Sequence, residues 1–138
     1  MNHFELPVSL RVRAPLKRVF AAWLNEADAR WLCDRQEGRW AAGEKVFWNF
    51  GGERQEIRVV AVEAERVVRF RWNAYGTQSE TEVVIEFRDH GSETGLVLRE
   101  VGWELALENV KVALDHACGW ENLFCRLKAW VEAGVELR

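Results

Sequence analysis

The stretch Val110-Lys111-Val112-Ala113-Leu114-Asp115-His116-Ala117-Cys118-Gly119-Trp120-Glu121-Asn122-Leu123-Phe124-Cys125-Arg126-Leu127-Lys128-Ala129-Trp130-Val131-Glu132-Ala133 decides the fold. At about 100° per residue, Val110, Ala113, Ala117, Trp120, Phe124, Leu127 and Val131 fall on one face of a helix. Leu123 and Trp130 widen that face on one flank. Asn109 is the expected N-cap and Gly134 the expected residue just past the C-terminal end. A helix over 110–133 is about 36 Å long at ~1.5 Å per residue. Gly119 stands mid-helix, where Gly costs about 1 kcal/mol relative to Ala. A neighbour packed too closely for a side chain is the expected reason.

Such a helix needs a large apolar surface to lie on, and the residues before it supply one. From 39 to 103 the hydrophobic period changes to two. Strands are expected at 39–41, 45–50, 57–63, 67–72, 81–88 and 96–101. The breaks between them carry Gly43, Gly51-Gly52, Ala64-Glu65-Arg66, Tyr75-Gly76 and His90-Gly91. Connections this short join antiparallel neighbours, so the strands form a meander. Val46, Trp48 and Phe50 share a face, as do Val68, Phe70 and Trp72, then Val83, Ile85 and Phe87, then Leu96 and Leu98. Arg69, Arg71, Glu82, Glu86 and Arg99 take the opposite side, giving one dry and one wet face.

Upstream, residues 4–12 alternate as a first strand, with Pro7 marking a free edge. Ala14-Pro15 opens a short helix whose stripe is Leu16, Val19, Phe20, Trp23 and Leu24, and Asn25 stops it. A second short helix over 26–32 carries Trp31. The fold class is therefore α+β: a curved antiparallel sheet of about seven strands around a long C-terminal helix, with two short helices after the first strand. A chain of 138 residues without internal repeat or linker is expected to form a single domain over 1–138.

Composition narrows the function. Nineteen Lys and Arg against twenty-two Asp and Glu leave a net charge of −3, against the basic surplus that nucleic-acid binding needs. No apolar run is long enough to span a membrane, and residues 1–6 lack the pattern of a secretory signal. Three cysteines, Cys33, Cys118 and Cys125, make no disulfide framework, and a cytoplasmic location is expected. Cys118 and Cys125 share a side of the helix away from His116 with no fourth ligand near, so neither a metal nor a cofactor is expected. With Ser9, Ser79 and Ser92 as the only serines, no Gly-x-Ser-x-Gly elbow exists. No phosphate-cradling glycine loop occurs either.

Eight Trp against one Tyr is the abnormal figure. The inward candidates Trp48, Phe50, Phe70, Trp72, Trp103, Trp120 and Phe124 either line a small-molecule cavity or simply fill the core. Two polar residues join them. Glu100 shares its face with Leu96 and Leu98, so it either meets a ligand inside or reaches water at the strand end. His116 stands beside the apolar stripe, as a ligand contact or a hydrogen-bonded boundary residue. Arg58 is a weaker candidate to enter the cavity and pair with Glu100, since Ile57 and Val59 leave the inward face of that strand ambiguous.

Ala14-Pro15 with Val19-Phe20-x-x-Trp23, then Trp31, then His116-x-x-Gly119-Trp120-x-x-Leu123-x-x-x-Leu127 resembles the SRPBCC, or START-like, helix-grip superfamily, to which the birch-pollen-allergen-like proteins belong. Within it the chain is similar to the branch named after the activator of heat shock protein 90 ATPase, and Leu96-x-Leu98-x-Glu100-x-Gly102-Trp103 fits that branch's last strand. Where that strand is expected to carry a His, this chain has Glu100. The resemblance implies a cavity between sheet and helix. It implies three roles: binding a small apolar or aromatic molecule, interacting with a chaperone, or an enzyme resembling polyketide cyclases and aromatases. A homodimer is compatible with each. No residue is assigned as catalytic. The expected ligand-binding set is Trp48, Phe50, Phe70, Trp72, Glu100, Trp103, His116, Trp120 and Phe124.

Overall fold

The computed structural model describes residues 2–73 and 79–138. The expected turn at Tyr75-Gly76 lies outside them. Seven antiparallel strands form one sheet: β1 (His3–Val12), β2 (Arg35–Gly38), β3 (Lys45–Phe50), β4 (Glu53–Glu63), β5 (Val67–Trp72), β6 (Thr81–His90) and β7 (Glu93–Glu104). Their order across the sheet is β1-β7-β6-β5-β4-β3-β2, so β2 to β7 run as a meander and β1 closes against its last strand. Between β1 and β2 come α1 (Leu16–Leu24) and a 3-10 helix (Glu26–Trp31). The terminal helix α2 (Leu107–Ala133) is about 40 Å long at ~1.5 Å per residue and packs against β1, β7 and α1.

The alternation in the sequence reproduces the dry face closely. Val46, Trp48, Val68, Phe70, Trp72, Val83, Ile85, Phe87, Leu96 and Leu98 are all buried, and Ala113, Trp120, Phe124 and Leu127 meet them from α2. On the wet face the charges form ladders. Arg69 pairs with Glu82 at 3.1 Å, and Lys45 with Glu56 at 3.2 Å. Arg58 takes Glu56 at 3.0 Å and Glu80 at 2.8 Å. Exposed pairs of this kind hold register and add little stability.

Arg58 therefore does not enter the interior or meet Glu100. The ambiguity of β4 resolves through a register shift between Val59 and Ala61: Ile57 and Val59 point inward before it, and Val62, opposite Val68, packs against the core after it. One extra residue reverses the alternation, and a strict period of two misses it.

Three other expectations change. The first strand of the meander is Arg35–Gly38, not 39–41. Gly38 ends it at φ +97°, where an added Cβ would lie 2.1 Å from the Lys45 carbonyl oxygen. Trp40 mimics a strand residue because its indole turns inward from the loop, 5.8 Å from both Trp23 and Phe70. The long helix begins three residues before the expected start, capped at Ala106 without a side-chain bond. Asn109 instead donates from Nδ2 to the Glu104 carbonyl at 2.8 Å, tying the first turn to the end of β7. Gly134 does end the helix, at φ +66°. Nothing lies within 4 Å of a Cβ added to Gly119, so close packing is not its reason.

Candidate functional site

Glu100 organises the interior. It is fully buried, and its two carboxylate oxygens accept four donors. Oε1 takes His116 Nδ1 and Trp120 Nε1, both at 3.0 Å. Oε2 takes Thr81 Oγ1 at 2.6 Å and Trp72 Nε1 at 3.1 Å. Each arrives from a different place: Trp72 ends β5, Thr81 opens β6 directly opposite it, and His116 and Trp120 stand one turn apart on α2. Val83, the residue opposite Glu100 in β6, keeps the carboxylate on the dry face.

Burial is the largest single influence on this carboxyl and pushes its pKa up. The hydrogen bonds from His116 and Thr81, the charge of His116 and the Trp120 bond act the other way and win, so its pKa lies below the ordinary carboxylate value. Chemistry supports that direction, because an indole N–H can only donate and offers nothing to a protonated acid. An ionised Glu100 also requires a proton on His116 Nδ1. In neutral imidazole the lone pair then sits on Nε2.

The three ring donors are walls of a pocket of about 270 Å³ between the β3–β4 hairpin and the middle of α2. Trp48, Trp72, His116 and Trp120 form its interior, and Phe50, 40% exposed, stands at its mouth. Glu53, Arg54, Gln55, Asp115, Gly119 and Leu123 complete the surface. Trp72 and Trp120 lie 5.2 Å apart at 35°, and Trp48 meets Trp72 edge-on at 6.1 Å. Trp48 is locked separately: its Nε1 donates to Gln36 Oε1 at 2.9 Å, from the residue directly opposite it in β2. Each of the three pocket indoles, Trp48, Trp72 and Trp120, thus has its N–H fixed from behind by a buried acceptor. A flat apolar surface is left facing the pocket.

Of the nine residues expected at the site, Trp48, Phe50, Trp72, His116 and Trp120 line this pocket. Glu100, Phe70, Trp103 and Phe124 lie behind its walls, each at most 1% exposed. Glu100 neither reaches water at a strand end nor fronts the pocket; it holds the side chains that do. Trp103 backs His116 edge-on at 4.9 Å and stacks on Phe4 at 6.0 Å. Its own N–H, like those of Trp23, Trp40 and Trp130, has no partner among the described residues.

Sequence reasoning missed Gln36, Thr81, Glu53, Arg54, Gln55, Asp115, Gly119 and Leu123. Thr81 was within reach, since alternation from Val83 places it inward. Gln36 was not, because β2 was expected four residues later. Gly119 carries a signal, a helix-interior glycine, but the residue alone does not distinguish tight packing from the open space found there. Among the described residues no group of His, Cys, Asp and Glu could hold a metal ion, and all three cysteines are free.

A seven-strand antiparallel sheet gripping a long terminal helix is the SRPBCC-type helix-grip fold. The chain belongs to the family described as activator of Hsp90 ATPase homolog 1-like protein, whose model matches residues 13–132. No curated protein shows a significant sequence match to it. Solved structures agree on the fold. Protein MLL2253 from Mesorhizobium loti superposes with a TM-score of 0.82 at 16% identity, covering 94% of this chain and 97% of that one. The Aha1 dimer from Colwellia psychrerythraea gives 0.82 at 14% identity, with 95% and 98% covered. DynU16, a protein of the dynemicin biosynthetic locus, gives 0.86 at 23% identity; 97% of this chain covers 49% of that one.

Proposed function

We propose that this protein binds a small apolar or aromatic molecule in the pocket between the β3–β4 hairpin and α2. One observation carries the reading: three indoles and an imidazole face a pocket of about 270 Å³, and each interior ring is anchored from behind by a buried polar group. A core meant only to be filled has no need to bury a carboxylate to aim its aromatic rings. Anchored walls lose little rotamer freedom on binding, which is what preorganises a receptor. Burying about 200–300 Å² of apolar ligand surface contributes about 5–8 kcal/mol before the costs of association. A cytoplasmic location belongs to the same proposal.

Native mass spectrometry and tryptophan fluorescence with a panel of flavonoids, polyketides and fatty acids test it. A bound species that quenches the indoles is expected, because Trp48, Trp72 and Trp120 all face the site. No bound species and no quenching across the panel overturns it.

The wall histidine favours a second reading. An imidazole whose Nδ1 is held by a buried carboxylate is oriented for moving a proton, as in a cyclase-like enzyme. An unchanged product profile in Glu100→Gln and His116→Ala variants would remove that role. The family description suggests a third, action on a chaperone. Measuring the ATPase rate of a heat shock protein 90 homologue with and without this protein decides it.

A further inference from the structure

We propose that the aromatic pocket continues over Gly119 into a second depression, and that the joined site takes an elongated apolar molecule ending in a carboxylate. The proposal rests on the ligand-binding reading above and names the ligand's shape and terminal group. Beside the aromatic pocket lies a depression of about 190 Å³ lined by Leu32, Phe50, Gly119, Asn122, Leu123 and Arg126. The two hollows share Phe50, Gly119 and Leu123. Gly119 is therefore the saddle between them. Its cost to an exposed helix interior has no packing explanation, since a Cβ there would meet no atom within 4 Å. What the missing side chain does provide is clearance over the helix.

The polar groups are unequal at the two ends. Glu53 and Asp115 border the aromatic end, where the one arginine, Arg54, already pairs with Glu37 at 3.0 Å. The far end carries half-buried Arg126. Its Nε donates to Asn122 Oδ1 at 3.0 Å, and its η nitrogens meet no carboxylate among the described residues. An arginine braced this way presents its remaining donors to a carboxylate. Carboxylates at the aromatic end repel an acid group, so the ligand lies with its apolar head against Trp72 and Trp120 and its acid at Arg126. Asp115, Gly119, Asn122 and Arg126 follow one stripe of α2, and Asp115 to Arg126 spans about 16 Å at ~1.5 Å per residue. A benzene-sized molecule fills only the head.

Calorimetric titration with three probes tests this: indole for the head alone, 8-phenyloctanoate, and 8-phenyloctan-1-ol as its neutral counterpart. The carboxylate is expected to bind at least tenfold more tightly than the alcohol. Arg126→Gln should remove that preference while leaving the alcohol unchanged. Gly119→Leu should weaken both long probes at least tenfold more than it weakens indole, and an unchanged far-UV circular dichroism spectrum reports that the variant is folded. Indole binding without any preference for the carboxylate, or a preference that survives Arg126→Gln, overturns the inference and leaves the pocket reading standing. Long probes unaffected by Gly119→Leu overturn it as well. Failure of all three probes to bind the unaltered protein overturns the inference and counts against the pocket reading too.

Discussion

Glu100 and His116 meet across the sheet–helix interface, the imidazole Nδ1 standing 3.0 Å from one carboxylate oxygen and 3.2 Å from the other. The contact joins the last strand to the terminal helix in the apolar core and places one of its partners on a pocket wall. A buried ionised group is tolerated only when its lone pairs are satisfied. Here they are, and the donors that satisfy them are the surfaces a ligand would touch. Stability and site geometry are therefore coupled through one carboxylate, and perturbing it should move both.

Glu100→Gln keeps the side-chain shape and replaces one acceptor oxygen by an NH₂ group facing hydroxyl, imidazole and indole donors. One or more of those donors loses its acceptor. The expected loss of stability is about 2–4 kcal/mol. Urea unfolding followed by tryptophan fluorescence measures it, and a loss below a few tenths of a kcal/mol contradicts the network described.

The same carboxyl sets a pH dependence. Its folded pKa lies below the ordinary value, so the unfolded state takes up the proton first as pH falls. The stability it contributes is fully present above about pH 5, beyond the unfolded pKa of roughly 4.3, and is lost as pH drops through the lower folded pKa. The urea midpoint of the native protein should fall across that acid window more steeply than that of Glu100→Gln. Parallel curves for the two proteins would show that another group governs the acid limb.

Thr81→Val removes the shortest bond to the carboxylate, 2.6 Å, with almost no change of volume. A hydrogen bond to a charged acceptor is worth about 1.5–3 kcal/mol, and a loss of that size is expected. In a double-mutant cycle with Glu100→Gln the two losses should be far from additive, since both report the same contact.

The two informative glycines should respond in opposite directions. Gly119→Ala adds a methyl where nothing stands within 4 Å and is expected to raise stability by up to about 1 kcal/mol. Gly38→Ala would bring its Cβ to 2.1 Å from the Lys45 carbonyl oxygen at a φ of +97°, and a loss of at least about 2 kcal/mol is expected. Thermal melts of both variants check the pair.

Strand alternation and one helical stripe were enough to place the dry face, the six-strand meander and the terminal helix, because each local period reports which side of its element meets the core. That information is carried by neighbours in the chain. The β4 bulge, the position of β2 and the first turn of α2 were not legible, since each depends on contacts with residues distant in sequence. The site divides along the same line. Aromatic rings on inward faces could be read directly: Trp48, Trp72 and Trp120 follow from periodicity alone. Which rings front a hollow and which merely back it, that Glu100 holds three of them instead of facing a ligand, and that Gly119 marks an opening, were decided only when sheet and helix came together. A hydrogen bond and an empty volume both belong to pairs of surfaces, and a linear pattern specifies each surface without specifying the distance between them.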